Sequence, residues 1–219
     1  MKQTDIPFIE GLENMPFDIL YETMSRCGAA QSAECVPWSE YPYLPQVRFY
    51  LAASRSHLFV CWSVRGEGLK ALFGNDQEPV WQDSCVETFI AAPDGSGYFN
   101  FEMNCIGTLL AAHQRARGVD TVRLGSQQMT SVIRHTSLPH ETFEERSGIH
   151  SWRAATGIPF SILGFADGER PATLRANFYK CADGSATPHY VSWSPISTPK
   201  PDFHRPEFFG LLNFQPADK

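Results

Sequence analysis

Basic residues are scarce and unclustered: 18 Lys and Arg stand against 24 Asp and Glu, a formal net charge of −6 over 219 residues. Without a basic patch to displace counterions from a phosphate backbone, nucleic acid is not expected as a partner. Apolar runs stop at about six residues, against ~20 for a spanning helix, so no membrane partner is expected either. The opening Met1-Lys2-Gln3-Thr4-Asp5 lacks the apolar stretch of a secretory leader, and no Asn-x-Ser/Thr acceptor occurs. That makes a cytoplasmic location the expectation, although a chain trimmed of its leader would read the same. Six cysteines sit at wide, irregular spacings with no C-x-x-C pair. A chain of this length buries a core without disulfides, and Cys61 and Cys85 lie in apolar runs, so they read as reduced, buried thiols. No nucleophile elbow and no H-E-x-x-H occur, and the seven histidines are scattered.

What the sequence has is aromatic residues (13%), with 16 Gly and 16 Pro to punctuate them. Apolar residues recur with a period of two: Val47, Phe49 and Leu51, then Leu58, Val60, Trp62 and Val64. Similar runs cover about 84–92, 97–104, 107–113, 130–136, 150–157, 172–180 and 208–214, separated by breakers such as 93–97 and Asp183-Gly184. Helical patterning is weak: a short helix around Phe17 to Met24, a turn after Pro159 and another near 139–146. About nine strands with frequent turns predict an all-β, antiparallel fold, a β-sandwich of immunoglobulin-like type or a barrel. We expect one sandwich domain over 31–219, preceded by a loose lead-in over 1–30 that packs on it. Oligomeric state is not specified.

One hairpin is unusually informative. Residues 81–107 read WQDSCVETFIAAPDGSGYFNFEMNCIG, with a five-residue turn at 93–97. Pairing residues 92 and 97 sets Glu87 opposite Glu102, Phe89 opposite Asn100 and Cys85 opposite Asn104. One face then carries Val86, Ile90, Phe99, Phe101 and Met103 into a core. The other gathers two carboxylates and two amides, with Trp81 just before the strand. An ordinary solvated face is the plain alternative, but like charges directly opposite are destabilising and invite a partner. Amides and carboxylates suit a ligand rich in hydroxyls.

A second segment, 177–210, reads NFYKCADGSATPHYVSWSPISTPKPDFHRPEFFG, with five prolines between 188 and 206. Proline stiffens a loop, so this stretch suits an aromatic platform or lid. Trp193 is the residue we expect to present an open ring to a sugar.

The runs PVWQDSCVETFI, YFNFEMNCIGT, ANFYKCADG, PHYVSWSPI and PDFHRPEFFG, with the earlier VPWSEYPYLPQVRF, occur in order over roughly 35–214. In these motifs the chain resembles the family 9-like carbohydrate-binding proteins of the DOMON-like sandwich superfamily. The resemblance implies a β-sandwich that holds a mono- or oligosaccharide between two Trp rings, without catalysis. It implies Trp81 and Trp193 as the rings, Glu87 as the main hydroxyl acceptor, and Asn104 and Lys180 as further polar contacts. Glu102 joins them only through the hairpin register. No cofactor is expected, but some relatives carry structural calcium, for which Asp76, Asp83 and Asp94 are the candidates; no dense D-x-D string supports them. Three other functions stay open, one of them an interaction or assembly module with the tail aromatics as a protein interface. Glu87 and Glu102 have the composition of a carbohydrate-processing pair, and other DOMON-like domains bind haem for electron transfer through a Met, here Met103.

Overall fold

A computed structural model describes residues 2–217. Two sheets face each other. The first runs β1 (Gln3–Ile6), β13 (Gly210–Phe214), β11 (Thr173–Cys181), β5 (Cys85–Ala91), β6 (Tyr98–Asn104), β7 (Leu109–Gln114) and β8 (Val122–Arg123), with β12 (Tyr190–Ser192) also beside β11. The second runs β2 (Ala29–Ser32), β3 (Gln46–Ala53), β4 (His57–Ala71), β10 (Phe143–Pro159) and β9 (Ile133–Thr136). Every strand pair is antiparallel except β1 with β13. This is the sandwich form of the all-β fold that the period-two pattern predicts.

The alternation of β3 and β4 sends Phe49, Leu51, Val60 and Trp62 between the sheets, where they meet Val86, Ile90, Phe101 and Met103 of the central hairpin. Each such large side chain, removed from water, contributes about 1.5–3 kcal/mol. Phe178 is the hub, with ring centroids 4.7 Å from Phe49 and 5.5 Å from Trp193.

Both outer faces are covered, each by a different device. On the second sheet α1 (Phe17–Cys27) lays Leu20 and Met24, one turn apart, over Phe59, Cys61 and Ala155. Its chain then turns into β2 at Gly28, where a Cβ would stand 2.6 Å from the Met24 carbonyl oxygen. On the first sheet the proline-rich segment after β12 lies across β11, β5 and β6. It is pinned there by Trp38 Nε1 donating to Thr198 O (3.0 Å), Tyr179 Oη to Phe203 O (3.1 Å) and Asn177 Nδ2 to Ser194 O (3.1 Å).

Three local expectations are corrected. The N-terminal segment packs on the sandwich as expected but is not loose, because β1 completes the first sheet beside β13 and α1 covers the second. The turn near 139–146 is not helical: the chain is strand from Phe143, whose pairing with Ala71 of the long β4 overrides local preference. Trp193 is not an open platform. Its ring is fully buried in the inter-sheet core and its Nε1 donates to Gln31 Oε1 at 2.8 Å.

Trp193→Ala is therefore a core truncation, expected to cost about 3–5 kcal/mol in equilibrium urea unfolding. A loss below about 1 kcal/mol would place the ring outside the core.

Candidate functional site

The hairpin register is the one alternation predicts: Glu87 pairs with Glu102, Phe89 with Asn100 and Cys85 with Asn104. Ala92 N donates to Gly97 O at 2.9 Å to close the turn, with Gly95 and Gly97 both at positive φ. The polar side of this hairpin is not washed by solvent. With Tyr179, Phe203 and Phe209 it forms a second apolar cluster, and into that cluster opens a cleft of about 430 Å³.

The floor of the cleft comes from the outward positions of neighbouring strands: Glu87 on β5, Asn100 and Glu102 on β6, Gln114 on β7. One wall is Trp81, held on a 3-10 turn (Val80–Gln82) whose Trp81 carbonyl accepts from Asp183 N at 3.1 Å. Tyr190, Phe203 and His204 also line the cleft. Tyr190 is propped edge-on by Trp38 and Tyr41, and Phe203 stacks on Tyr179 at 4.1 Å.

A chain of hydrogen bonds fixes the amides. Gln114 Nε2 donates to Asn100 Oδ1 (3.1 Å), and Asn100 Nδ2 donates to Glu102 Oε1 (2.9 Å). The Tyr98 hydroxyl donates to His204 Nδ1 at 2.9 Å. Burial lowers the His204 pKa to about 4, so the ring accepts as the neutral base. Glu87 receives the Cys181 thiol at 3.0 Å, its one protein donor among the described residues.

Both carboxyls are about 3–4% exposed and directly opposed, and their pKa values are raised. For Glu87 burial is the first cause and the facing Glu102 the second; for Glu102 burial leads, partly offset by the Asn100 amide and reinforced by Asp183. Asp183 itself is pushed up to about 6 by burial. The floor thus holds protons that ordinary carboxylates would have lost.

Of the six residues expected at the site, Trp81, Glu87 and Glu102 line one cleft. The other three do not. Trp193 is in the core. Lys180 lies on the inner side of β11, its Nζ donating to Cys181 O (2.5 Å) and 2.9 Å from His189 Nε2. Asn104 is spent on the chain itself, accepting from Ile106 N and Thr108 N and donating to Phe73 O and Asp83.

The three aspartates considered for calcium are each engaged elsewhere. Asp83 accepts from Leu72 N and Phe73 N, Asp76 from Leu109 N and Arg134, and Asp94 from Ser96 N in the hairpin turn. Met103 is buried between the sheets among apolar side chains.

The pattern did not single out Gln114, Asp183, Tyr190, Phe203 or His204. Gln114 needed the β6–β7 register, and Asp183 read as a turn breaker. A larger hollow of about 610 Å³ lies near Arg134 and His140, two side chains that are already paired: Arg134 with Asp76, His140 with Ile106 O and Gly74 O.

Fold and cleft together define a β-sandwich protein with a cleft on the outer face of one sheet. The sequence matches the model of carbohydrate-binding family 9 over residues 20–214, and the chain belongs to that family. Among solved structures it is similar to a candidate carbohydrate-binding protein from Bacteroides uniformis, at 33% identity and TM-score 0.91, covering 98% of this chain and 99% of that one. Two structures of a family 9 carbohydrate-binding module from Caldicellulosiruptor kristjanssonii share the fold at 10% identity. The complex with glucose has TM-score 0.60 and coverage of 99% and 97%; that with cellotriose has 0.61, 99% and 95%. No curated protein matches the chain.

A carboxyl whose pKa is raised by folding stabilises the fold below its unfolded value (~4.3) and loses that contribution as pH rises through the folded value. His189 and His204, lowered by burial to about 3 and about 4, act oppositely, losing stability as pH falls below ~6.5. The comparison that isolates the pair is Glu102→Gln against wild type. We expect the variant's melting temperature, relative to wild type, to climb steadily from pH 4.5 to pH 8. Parallel curves would mean that the carboxyls titrate normally.

Proposed function

We propose that the cleft binds a mono- or oligosaccharide without catalysis, the sugar ring lying on Trp81 and its hydroxyls meeting Glu87 and Glu102. The observation that carries this is the unspent hydrogen-bonding capacity of two buried carboxyls. Each has one protein partner, the Cys181 thiol for Glu87 and the Asn100 amide for Glu102, while a carboxyl group offers several acceptor positions. Buried polar groups left short of partners are costly, and a ligand's hydroxyls would supply them. A protonated carboxyl also donates, so the pair can match hydroxyls in either sense.

Family membership and the saccharide complexes of the similar modules support the same ligand class. The cleft volume of about 430 Å³ falls within the ~300–1,000 Å³ of small-molecule sites. The second aromatic face, which we had assigned to Trp193, is here assigned to Tyr190, with Phe203 beside it.

A stacked ring contributes ~0.5–1.5 kcal/mol beyond burial, and each neutral hydrogen bond about 0.5–1.5 kcal/mol net. Binding is then micromolar to millimolar. In calorimetric titration with glucose and cello-oligosaccharides, Trp81→Ala should weaken binding about tenfold or more, and Glu87→Gln by a few-fold to tenfold. Both variants should melt cooperatively. Unchanged affinity in Trp81→Ala would move the site elsewhere, and chromatographic detection of cleaved saccharide would replace binding by glycoside hydrolysis.

A further inference from the structure

Beneath the Trp81 side of the cleft two thiols that saccharide recognition does not use stand beside Glu87, which it does. Cys85 on β5 and Cys181 on β11 are directly opposed, and Glu87 lies two residues along β5 on the same face. One donor atom from each of the three lies within 4.8 Å of the other two, and Cys181 Sγ is 3.0 Å from Glu87 Oε1. Among the described residues no other group of three His, Cys, Asp or Glu side chains converges in this way. All three are buried, yet Glu87 and Cys181 line the cleft, so the cluster borders space that water can enter.

We propose that Cys85, Cys181 and Glu87 form a binding site for one zinc ion, with water from the cleft as the fourth ligand. Zinc takes thiolate at ~2.3 Å and carboxylate oxygen at ~2.0–2.2 Å in a tetrahedron, which sets donor atoms roughly 3.3–3.8 Å apart. The present separations need only small side-chain adjustments to reach that. The chemistry of the donors selects the metal: two soft sulfurs suit zinc, whereas calcium asks for six to eight oxygens.

The ion displaces two thiol protons and the carboxyl proton, which pass to buffer. Two thiolates, a carboxylate and Zn²⁺ leave a net charge of −1. Lys180, whose Nζ donates to the Cys181 carbonyl, places a buried ammonium close by on the other side of β11. In the metal-free protein burial keeps both thiols protonated, pushing the Cys85 pKa up to about 12 and that of Cys181 well above its ordinary value.

The metal site shares Glu87 with the proposed saccharide site but rests on two sulfurs that the sugar reading does not need, and its test uses no sugar. Full-length reduced protein, stripped with chelator, is titrated with cobalt(II) as a spectroscopic substitute for zinc. We expect one cobalt per chain, with a near-ultraviolet thiolate-to-cobalt charge-transfer band and the visible bands of a tetrahedral site, both abolished by one equivalent of zinc.

Cys181→Ala should lose the band. The Cys27→Ser/Cys35→Ser variant, which removes the two cysteines that are not buried, should keep it. That double variant decides the matter even if Cys181→Ala fails to fold. Its other two cysteines lie apart from the site: Cys61 packs under α1 and Cys105 lies between the sheets. Absence of the band in wild type, its loss in the double variant, or its persistence in a folded Cys181→Ala would overturn the site.

Discussion

Two carboxylates placed opposite each other on neighbouring strands cannot both stay charged once water is excluded. Glu87 and Glu102 are in that position, and the design of the outer sheet face follows from how the conflict is relieved. At ε ≈ 20 two like charges ~5 Å apart repel by about 3 kcal/mol, enough to hold a proton in the pair. Asn100, Gln114 and His204 then order the surrounding dipoles, with the neutral His204 accepting from Tyr98. A buried pair with only two protein partners is an unusual expense for a sheet face. In the proposed site the hydroxyl groups of a ligand would supply the missing partners.

The exclusion of water depends on the proline-rich segment. Antiparallel sheets commonly leave one face to solvent, and here that face is roofed by the segment 188–209, apart from the inward-facing Val191 and Trp193. Five prolines limit the freedom the segment loses on folding, while Trp38, Asn177 and Tyr179 fasten it by hydrogen bonds to its backbone. Its aromatic residues divide the work: Phe209 fills the cluster beneath, whereas Tyr190, Phe203 and His204 line the cleft. The opposite sheet uses the helix α1 for the same purpose.

The legible part of the structure is the part that short-range rules govern. Alternation and a five-residue turn fix the β5–β6 register, and with it the facing of Glu87 and Glu102, because a one-residue slip would send Val86 and Ile90 out of the core. The failures share a cause: they depend on which face a strand presents after pairing with a distant one. In Tyr190-Val191-Ser192-Trp193 the alternation is plain, but only the match of Val191 with Lys180 shows that Val191 and Trp193 point inward and Tyr190 outward. Lys180 follows the same parity, since its neighbour Tyr179 pairs with Glu87 on the outer face. Asn104 sits on the expected face, yet the tight turn after β6 consumes its side chain.

The claim that a sugar ring lies on Trp81 and not on Trp193 is tested most directly by following the five indole N–H resonances of the protein during saccharide titration. We expect the Trp81 signal to move in proportion to occupancy while the Trp193 signal, bonded to Gln31 in the core, stays fixed. A silent Trp81 beside a shifting Trp193 would contradict it.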